Sequence, residues 1–251
     1  GNSTAVKIQT GSGFQKLTAV DINGDGNDEL VKVNYYSDGT SGKLQVTTYS
    51  SDMIATSQTF TLTNVIQEGT LKSPAPFIFV FGDFNGDGKV DLAAVQGCKN
   101  PKGGSIVYSS TVYVFSLDTK VKLFQYTICA VDIFKDVVFA ADMNGDGKSD
   151  LCVSTSSVLN VYSHYDNTFK LAMTDYLLRP SDIENREMLL TDINGDGKTD
   201  ILLSPLKDRF KLETKVHLSN CQGACTGSPT TTSADGSILI YIKGNNSCQV
   251  Y

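Results

Sequence analysis

The chain has 251 residues, 40% of them hydrophobic and 19% charged, which allows a sizeable buried core and is ordinary for a soluble globular protein. A net charge of −6 and a pI of about 4.9 exclude a nucleic-acid surface, which needs clustered Lys and Arg to displace phosphate counterions. No apolar run approaches the 18 or so residues that span a bilayer, the longest notable one being 77–81, so no membrane insertion is expected.

In chain order, residues 1–4 lack a basic and then apolar stretch, so a mature product or an internal piece is expected. A first strand-like segment covers 5–9. Short apolar β-formers then flank four polar loops: 17–20 and 30–33, 77–81 and 92–95, 137–141 and 151–153, 188–190 and 201–203. Further β-rich runs follow in most repeats, at 111–115 and 121–126 and at 159–162 and 169–172. About four strands per repeat are expected, with no helical periodicity of ten residues or more. Segments 37–42, 97–105 and 222–236 read as surface connections, and 226–233 as the best candidate for a mobile loop.

The loops are near-copies of one another: Asp21-Ile-Asn-Gly-Asp-Gly-Asn-Asp-Glu-Leu30, Asp83-Phe-Asn-Gly-Asp-Gly-Lys-Val-Asp-Leu92, Asp142-Met-Asn-Gly-Asp-Gly-Lys-Ser-Asp-Leu151 and Asp192-Ile-Asn-Gly-Asp-Gly-Lys-Thr-Asp-Ile201. They begin 62, 59 and 50 positions apart, the scale of a four-stranded propeller blade with variable connections. The expectation is an all-β fold: a β-propeller of four-stranded blades, each with a calcium-binding loop between its first two strands. About four blades belong to one domain or part of one, with repeats near 16–70, 77–131, 137–180 and 187–245.

Calcium is a hard cation that takes six to eight oxygens, and Asp-x-Asn-x-Asp supplies side-chain oxygens at positions one, three and five. The candidates are Asp21, Asn23 and Asp25, then Asp83, Asn85 and Asp87, Asp142, Asn144 and Asp146, and Asp192, Asn194 and Asp196. Glycine at position six permits the sharp turn. Position seven, held by Asn27, Lys89, Lys148 and Lys198, contributes its backbone carbonyl, so a lysine is tolerated beside a cation. Position nine closes the shell with Glu29, Asp91, Asp150 and Asp200. An EF-hand needs a Glu at position twelve and helices on both sides, but Lys32, Ala94, Val153 and Leu203 stand there. A single Asp/Asn/Gly-rich loop also reads as a solvated turn; four copies favour a structural ion, and four dications would bring the net charge from −6 to about +2. A Kd of about 0.1 mM in about 1 mM calcium gives roughly 1.4 kcal/mol per site.

The repeated loop with strands on either side resembles the FG-GAP/VCBS repeat family, which includes the integrin α-subunit propeller, secreted bacterial repeat proteins and the propellers of Rhs/Tc-type toxin shells. The resemblance covers all four repeats, although the Phe-Gly pair of the family name stands only at Phe81-Gly82. It implies a calcium-bearing propeller and no particular partner.

Catalysis has no visible carrier, since His164 and His217 lie in no nucleophile or metal motif, and Gly-x-Ser-x-Gly and HExxH are both missing. A non-catalytic module for protein interaction, adhesion or scaffolding is therefore expected. The alternatives are a glycan-binding propeller or an accessory propeller of a carbohydrate-active enzyme or toxin, and the remainder of a larger polypeptide is a possible partner. Sugar platforms usually use Trp, which this chain lacks; Tyr35, Tyr36, Tyr108, Tyr113, Tyr162 and Tyr165 are the substitutes. Six cysteines, Cys98, Cys129, Cys152, Cys221, Cys225 and Cys248, and the sequons at Asn2 and Asn245 suggest an oxidising, extracellular compartment. Cys152, in the strand position of Val31, Ala93 and Leu202, is either a buried thiol or a disulfide partner.

Overall fold

The computed structural model describes residues 14–37, 41–50, 53–62, 77–97, 109–129, 131–132, 135–155, 158–165, 168–175, 183, 186–205, 215–217, 241–244 and 247–250. The 5–9 segment, both sequons, Tyr108, the 222–236 connection and the side chains of every cysteine except Cys152 lie outside that description. By packing, the chain forms two compact units, one of Gly1–Phe81 and Gly88–Ile133, the other of Gly82–Asp87 and Phe134–Tyr251.

The architecture is all-β. The first sheet comprises β1 (Phe14–Val20), β2 (Glu29–Ser37), β3 (Gly42–Tyr49) and β4 (Ala55–Leu62). The second comprises β5 (Phe77–Gly82), β6 (Asp91–Gln96), β7 (Ser109–Ser116) and β8 (Lys122–Cys129). The third comprises β9 (Val137–Ala141), β10 (Asp150–Ser154), β11 (Leu159–Tyr165) and β12 (Thr168–Asp175). Each is four-stranded with sequential neighbours. A three-stranded sheet follows, β13 (Arg186–Thr191), β14 (Asp200–Pro205) and β15 (Lys215–His217), and then the hairpin of β16 (Tyr241–Gly244) and β17 (Ser247–Val250). The predicted flanking runs all fall within these strands. Among the described residues, no sheet closes on itself and no helix is long and apolar enough to cross a membrane.

Burial follows strand position. β6 reads Asp-Leu-Ala-Ala-Val-Gln and is buried along its whole length, as an inner strand covered on both faces should be. β3 alternates buried with half-buried residues over Gly42–Gln45, so one face is dry and the other partly wet. In the first unit the cross-strand row Tyr35, Leu44 and Phe60 is buried, and it joins a core that includes Phe77 and Phe115. Ring centroids lie 4.7 Å apart for Tyr35 and Phe77 and 4.3 Å apart for Phe60 and Phe115, so aromatic contacts join strands of the first two sheets. The second unit has its own core of Phe139, Met143, Cys152, Val161, Ile201 and Leu203. Each fully buried side chain of this size contributes roughly 1.5–3 kcal/mol.

Candidate metal centre

All four loops connect the first two strands of their sheets, β1 to β2, β5 to β6, β9 to β10 and β13 to β14. They fold in one way because their side chains bind their own backbone. In the third loop, Asp142 Oδ1 accepts the Gly145 amide at 2.7 Å and the Asp146 amide at 3.2 Å, and Oδ2 accepts the Gly147 amide at 2.8 Å. Asn144 Oδ1 accepts the Asp146 amide at 2.8 Å, and Asp146 Oδ1 accepts the Lys148 amide at 2.9 Å.

The other loops repeat the pattern. Asp21 gathers the amides of Gly24, Asp25 and Gly26, and Asp192 those of Gly195, Asp196 and Gly197. Asp83 accepts the amides of Gly86 and Asp87. Asn23, Asn85 and Asn194 accept the amides of Asp25, Asp87 and Asp196. Asp25 and Asp196 accept the amides of Asn27 and Lys198. Every position-three amide group also donates to the position-five carboxylate, at 3.0–3.2 Å.

Position nine is tied back to the loop by the position-two amide, Ile22 to Glu29 at 3.1 Å, Met143 to Asp150 at 2.9 Å and Ile193 to Asp200 at 3.0 Å. In the first loop position three also reaches position nine, Asn23 Nδ2 donating to Glu29 Oε1 at 3.3 Å. The position-seven lysine side chains leave the loop: Lys89 pairs with Asp118, and the stems of Lys148 and Lys198 lie against Gly86 and Gly145.

Four of the carboxylates fall into two kinds. The amides of Gly26, Asn27 and Gly197 hold Asp21, Asp25 and Asp192 below the usual carboxylate range. Asp150 is 1% exposed, and burial pushes its carboxyl up to about 6 against the pull of the Ser163 hydroxyl and the Met143 amide. Its Oδ1 has no hydrogen-bond donor. A buried anionic oxygen without a donor is costly unless a cation meets it.

The donor set fits a hard cation, being composed of carboxylates, amide oxygens and main-chain carbonyls with no sulfur or imidazole. Among the described residues, however, no three His, Cys, Asp or Glu side chains group tightly enough to hold a metal ion by themselves. The position-one and position-five carboxylates are turned onto loop amides, and the remaining oxygens come from Asn and the main chain. Asp21, Asn23, Asp25, Asn27 and Glu29 are the residues that would hold calcium in the first loop. Asp83, Asn85, Asp87, Lys89 and Asp91 would do so in the second, Asp142, Asn144, Asp146, Lys148 and Asp150 in the third, and Asp192, Asn194, Asp196, Lys198 and Asp200 in the fourth. Bound there, the ion would neutralise crowded carboxylates and fix the turn.

Sequence reasoning missed Ser163, which follows Tyr162, the register partner of Leu151, and accepts a hydrogen bond from Asn144 Nδ2 at 3.2 Å. Ser116 stands directly across from Asp91 in the second sheet, and Ser50 follows Tyr49, the partner of Leu30, in the first. The signal, a serine within or just past the third strand of three repeats, becomes visible only once register is known.

Residues 142–203, which carry the third and fourth loops, match the FG-GAP-like repeat family. No curated protein is matched by the sequence. Among solved structures, the chain is similar to an Agrocybe aegerita lectin described as specifically recognising non-reducing terminal N-acetylglucosamine. The identity is 14% and the TM-score 0.43, over 76% of this chain and 60% of the lectin chain. The chain thus spans less than two thirds of that lectin's length.

Proposed function

We propose that the chain is a non-catalytic, extracellular β-propeller module of the FG-GAP/VCBS, integrin α-like kind, whose loops each bind one calcium ion and whose surface binds a protein partner. The observation that carries the calcium reading is Asp150, a buried carboxylate at the foot of its loop with one oxygen that no donor meets. The repeated amide cradle and the FG-GAP-like match over 142–203 support it. Each loop draws its donors from within itself, which favours a structural ion over one that opens a place to a substrate. Calorimetric titration of the chelated chain with calcium tests this reading: about four sites of sub-millimolar to millimolar Kd are expected, and no heat and no shift of the melting temperature would refute it.

A glycan ligand is the second reading, and the exposed rings of Tyr36 (41%) and Tyr165 (58%) favour it. Tyr35, Tyr113 and Tyr162 do not serve, because they are buried in the cores. One face of Tyr165 is already covered by Lys170, whose Nζ lies 4.1 Å from the ring centroid, so Tyr36 is the better platform. Glycan-array binding that Tyr36→Ala abolishes would select this reading over a protein partner. Polysaccharide turnover by the chain would overturn both.

A further inference from the structure

We propose that the third and fourth loops are coupled, so that a calcium ion held by residues 142–150 raises the affinity of residues 192–200 for a second ion. The proposal rests on the cation reading above and concerns the second unit alone. The two loops touch through backbone. The Thr199 amide donates to the Asp142 carbonyl at 2.6 Å. A Cβ on Gly145 would lie 3.1 Å from Lys198 Cγ and 3.3 Å from the Gly197 carbonyl oxygen, so position four of the third loop is the floor on which the fourth loop's position-seven stem rests.

The contact is a rule of the repeat. In the same unit the Ser149 amide donates to the Asp83 carbonyl at 2.6 Å, and the Lys148 stem lies 3.0 Å from where a Cβ of Gly86 would stand. In the first unit, the Gly88 carbonyl oxygen lies 3.3 Å and Lys89 Cγ 3.9 Å from the corresponding point on Gly24. Lysine at position seven thus packs on the glycine of the preceding loop, whereas Asn27 of the first loop bonds Asp25 within its own loop.

The coupling follows from what the contacting residues flank. Asp142 is the position-one ligand, its carbonyl holds Thr199, and Thr199 lies between Lys198 and Asp200, the ligands at positions seven and nine of the next loop. An ion that orders Asp142 and Gly145 therefore orders half of the fourth site in advance, and the second ion meets a smaller entropy cost. Repulsion between two dications acts in the opposite direction and weakens with added salt.

The test is a calcium titration of the full chain followed by amide NMR. The Gly147 and Gly197 amides serve as reporters because each donates to the position-one carboxylate of its own loop. In Asp146→Ala, which disables the third loop, the Gly197 midpoint is expected to move to calcium concentrations at least about 5-fold higher, the lower end of typical coupling. Lys198→Ala keeps its carbonyl but loses the stem, and should shrink the separation between wild type and Asp146→Ala. If Asp146→Ala unfolds, Asp146→Asn replaces it, since it keeps the oxygen that accepts the Lys148 amide. If both loops bind calcium but the Gly197 midpoint moves less than about 2-fold, or moves to lower calcium, the coupling is wrong. If neither amide responds to calcium in the wild-type chain, the cation reading itself fails.

Discussion

Asp150 accepts the Met143 amide on one carboxylate oxygen at 2.9 Å and buries the other with no donor. Replacing it by asparagine removes the buried charge and keeps an acceptor for Met143. In chelator, Asp150→Asn should melt at a higher temperature than the wild type by an amount equivalent to about 1–3 kcal/mol, and in millimolar calcium the order should reverse. A differential scanning calorimetry pair decides it; a lower melting temperature in both conditions would leave Asp150 as a plain structural carboxylate.

The same residue sets a pH dependence. Its folded-state value is raised, to about 6 from 3.8, so its contribution to the metal-free fold is fully present below about pH 4 and is lost as pH rises through about 6. Asp21, Asp25 and Asp192 have lowered values and act in the opposite sense, losing their contribution as pH falls below the ordinary carboxylate value. Between about pH 4 and 6 the chelated wild type should therefore lose stability relative to Asp150→Asn. Urea midpoints across that window measure the difference; a flat difference would contradict the desolvation account.

Asp146→Ala and Lys89→Ala should separate the side chain from the main chain in the loops. The first substitution deletes a charged oxygen that also accepts the Lys148 amide, and should remove most of one site's calcium stabilisation, roughly 1.4 kcal/mol. The second keeps the carbonyl and loses the partly exposed pair with Asp118, about 0–1 kcal/mol, together with the stem's contact with Gly24. Thermal melts with and without chelator provide the comparison, and equal losses of the calcium-induced shift would argue against ligation at position five.

The loops and their flanking strands were legible because glycine, asparagine and aspartate punctuate the chain with turn chemistry and β-formers lie on either side. β4 was not, because Ala-Thr-Ser-Gln-Thr-Phe-Thr-Leu is mostly exposed and its only buried side chains are Phe60 and Leu62. Tyr35, Tyr113 and Tyr162 were misread for a related reason. On a strand, an inward and an outward tyrosine differ by one register step, so Tyr35 is core and Tyr36 is surface although they are adjacent. The contacts between loops were invisible because they depend on which backbone groups approach, which no residue type announces.

Cys152 is a buried thiol, which resolves the two readings of that position, and burial pushes its ionisation well above the ordinary range. It should resist alkylation in the native chain and react on unfolding. Cys152→Ala should cost only its lost packing, whereas Cys152→Ser buries a hydroxyl among Phe139, Leu159 and Val161 and should cost about 1–3 kcal/mol more. Rapid native labelling of this residue, located by peptide mass spectrometry, would show that the core is not packed as described.

Gly82, the last residue of β5, is required for space and not for an unusual backbone angle. A Cβ there would lie 2.7–2.9 Å from the Ser149 side chain and the Ala140 Cβ, closer than real contacts allow. Both obstacles are short side chains on backbone that is itself fixed: Ala140 of β9 pairs with Leu151 of β10, and the Ser149 amide is held by the Asp83 carbonyl. Neither can swing aside as a lysine stem would, so Gly82→Ala must shift one strand or one loop. The expected cost is about 1–3 kcal/mol of overpacking, together with loss of the Ser149 to Asp83 hydrogen bond. Gly88→Ala is the matched control: a Cβ there meets nothing within 4 Å, and only its φ of +80° is unfavourable, which costs about 1–2 kcal/mol. Urea unfolding measures the totals, and hydrogen exchange at the Ser149 amide distinguishes the causes. Faster exchange is expected in Gly82→Ala and near wild-type exchange in Gly88→Ala; unchanged exchange in both would mean that Gly82 is not the point at which the two loops are held together.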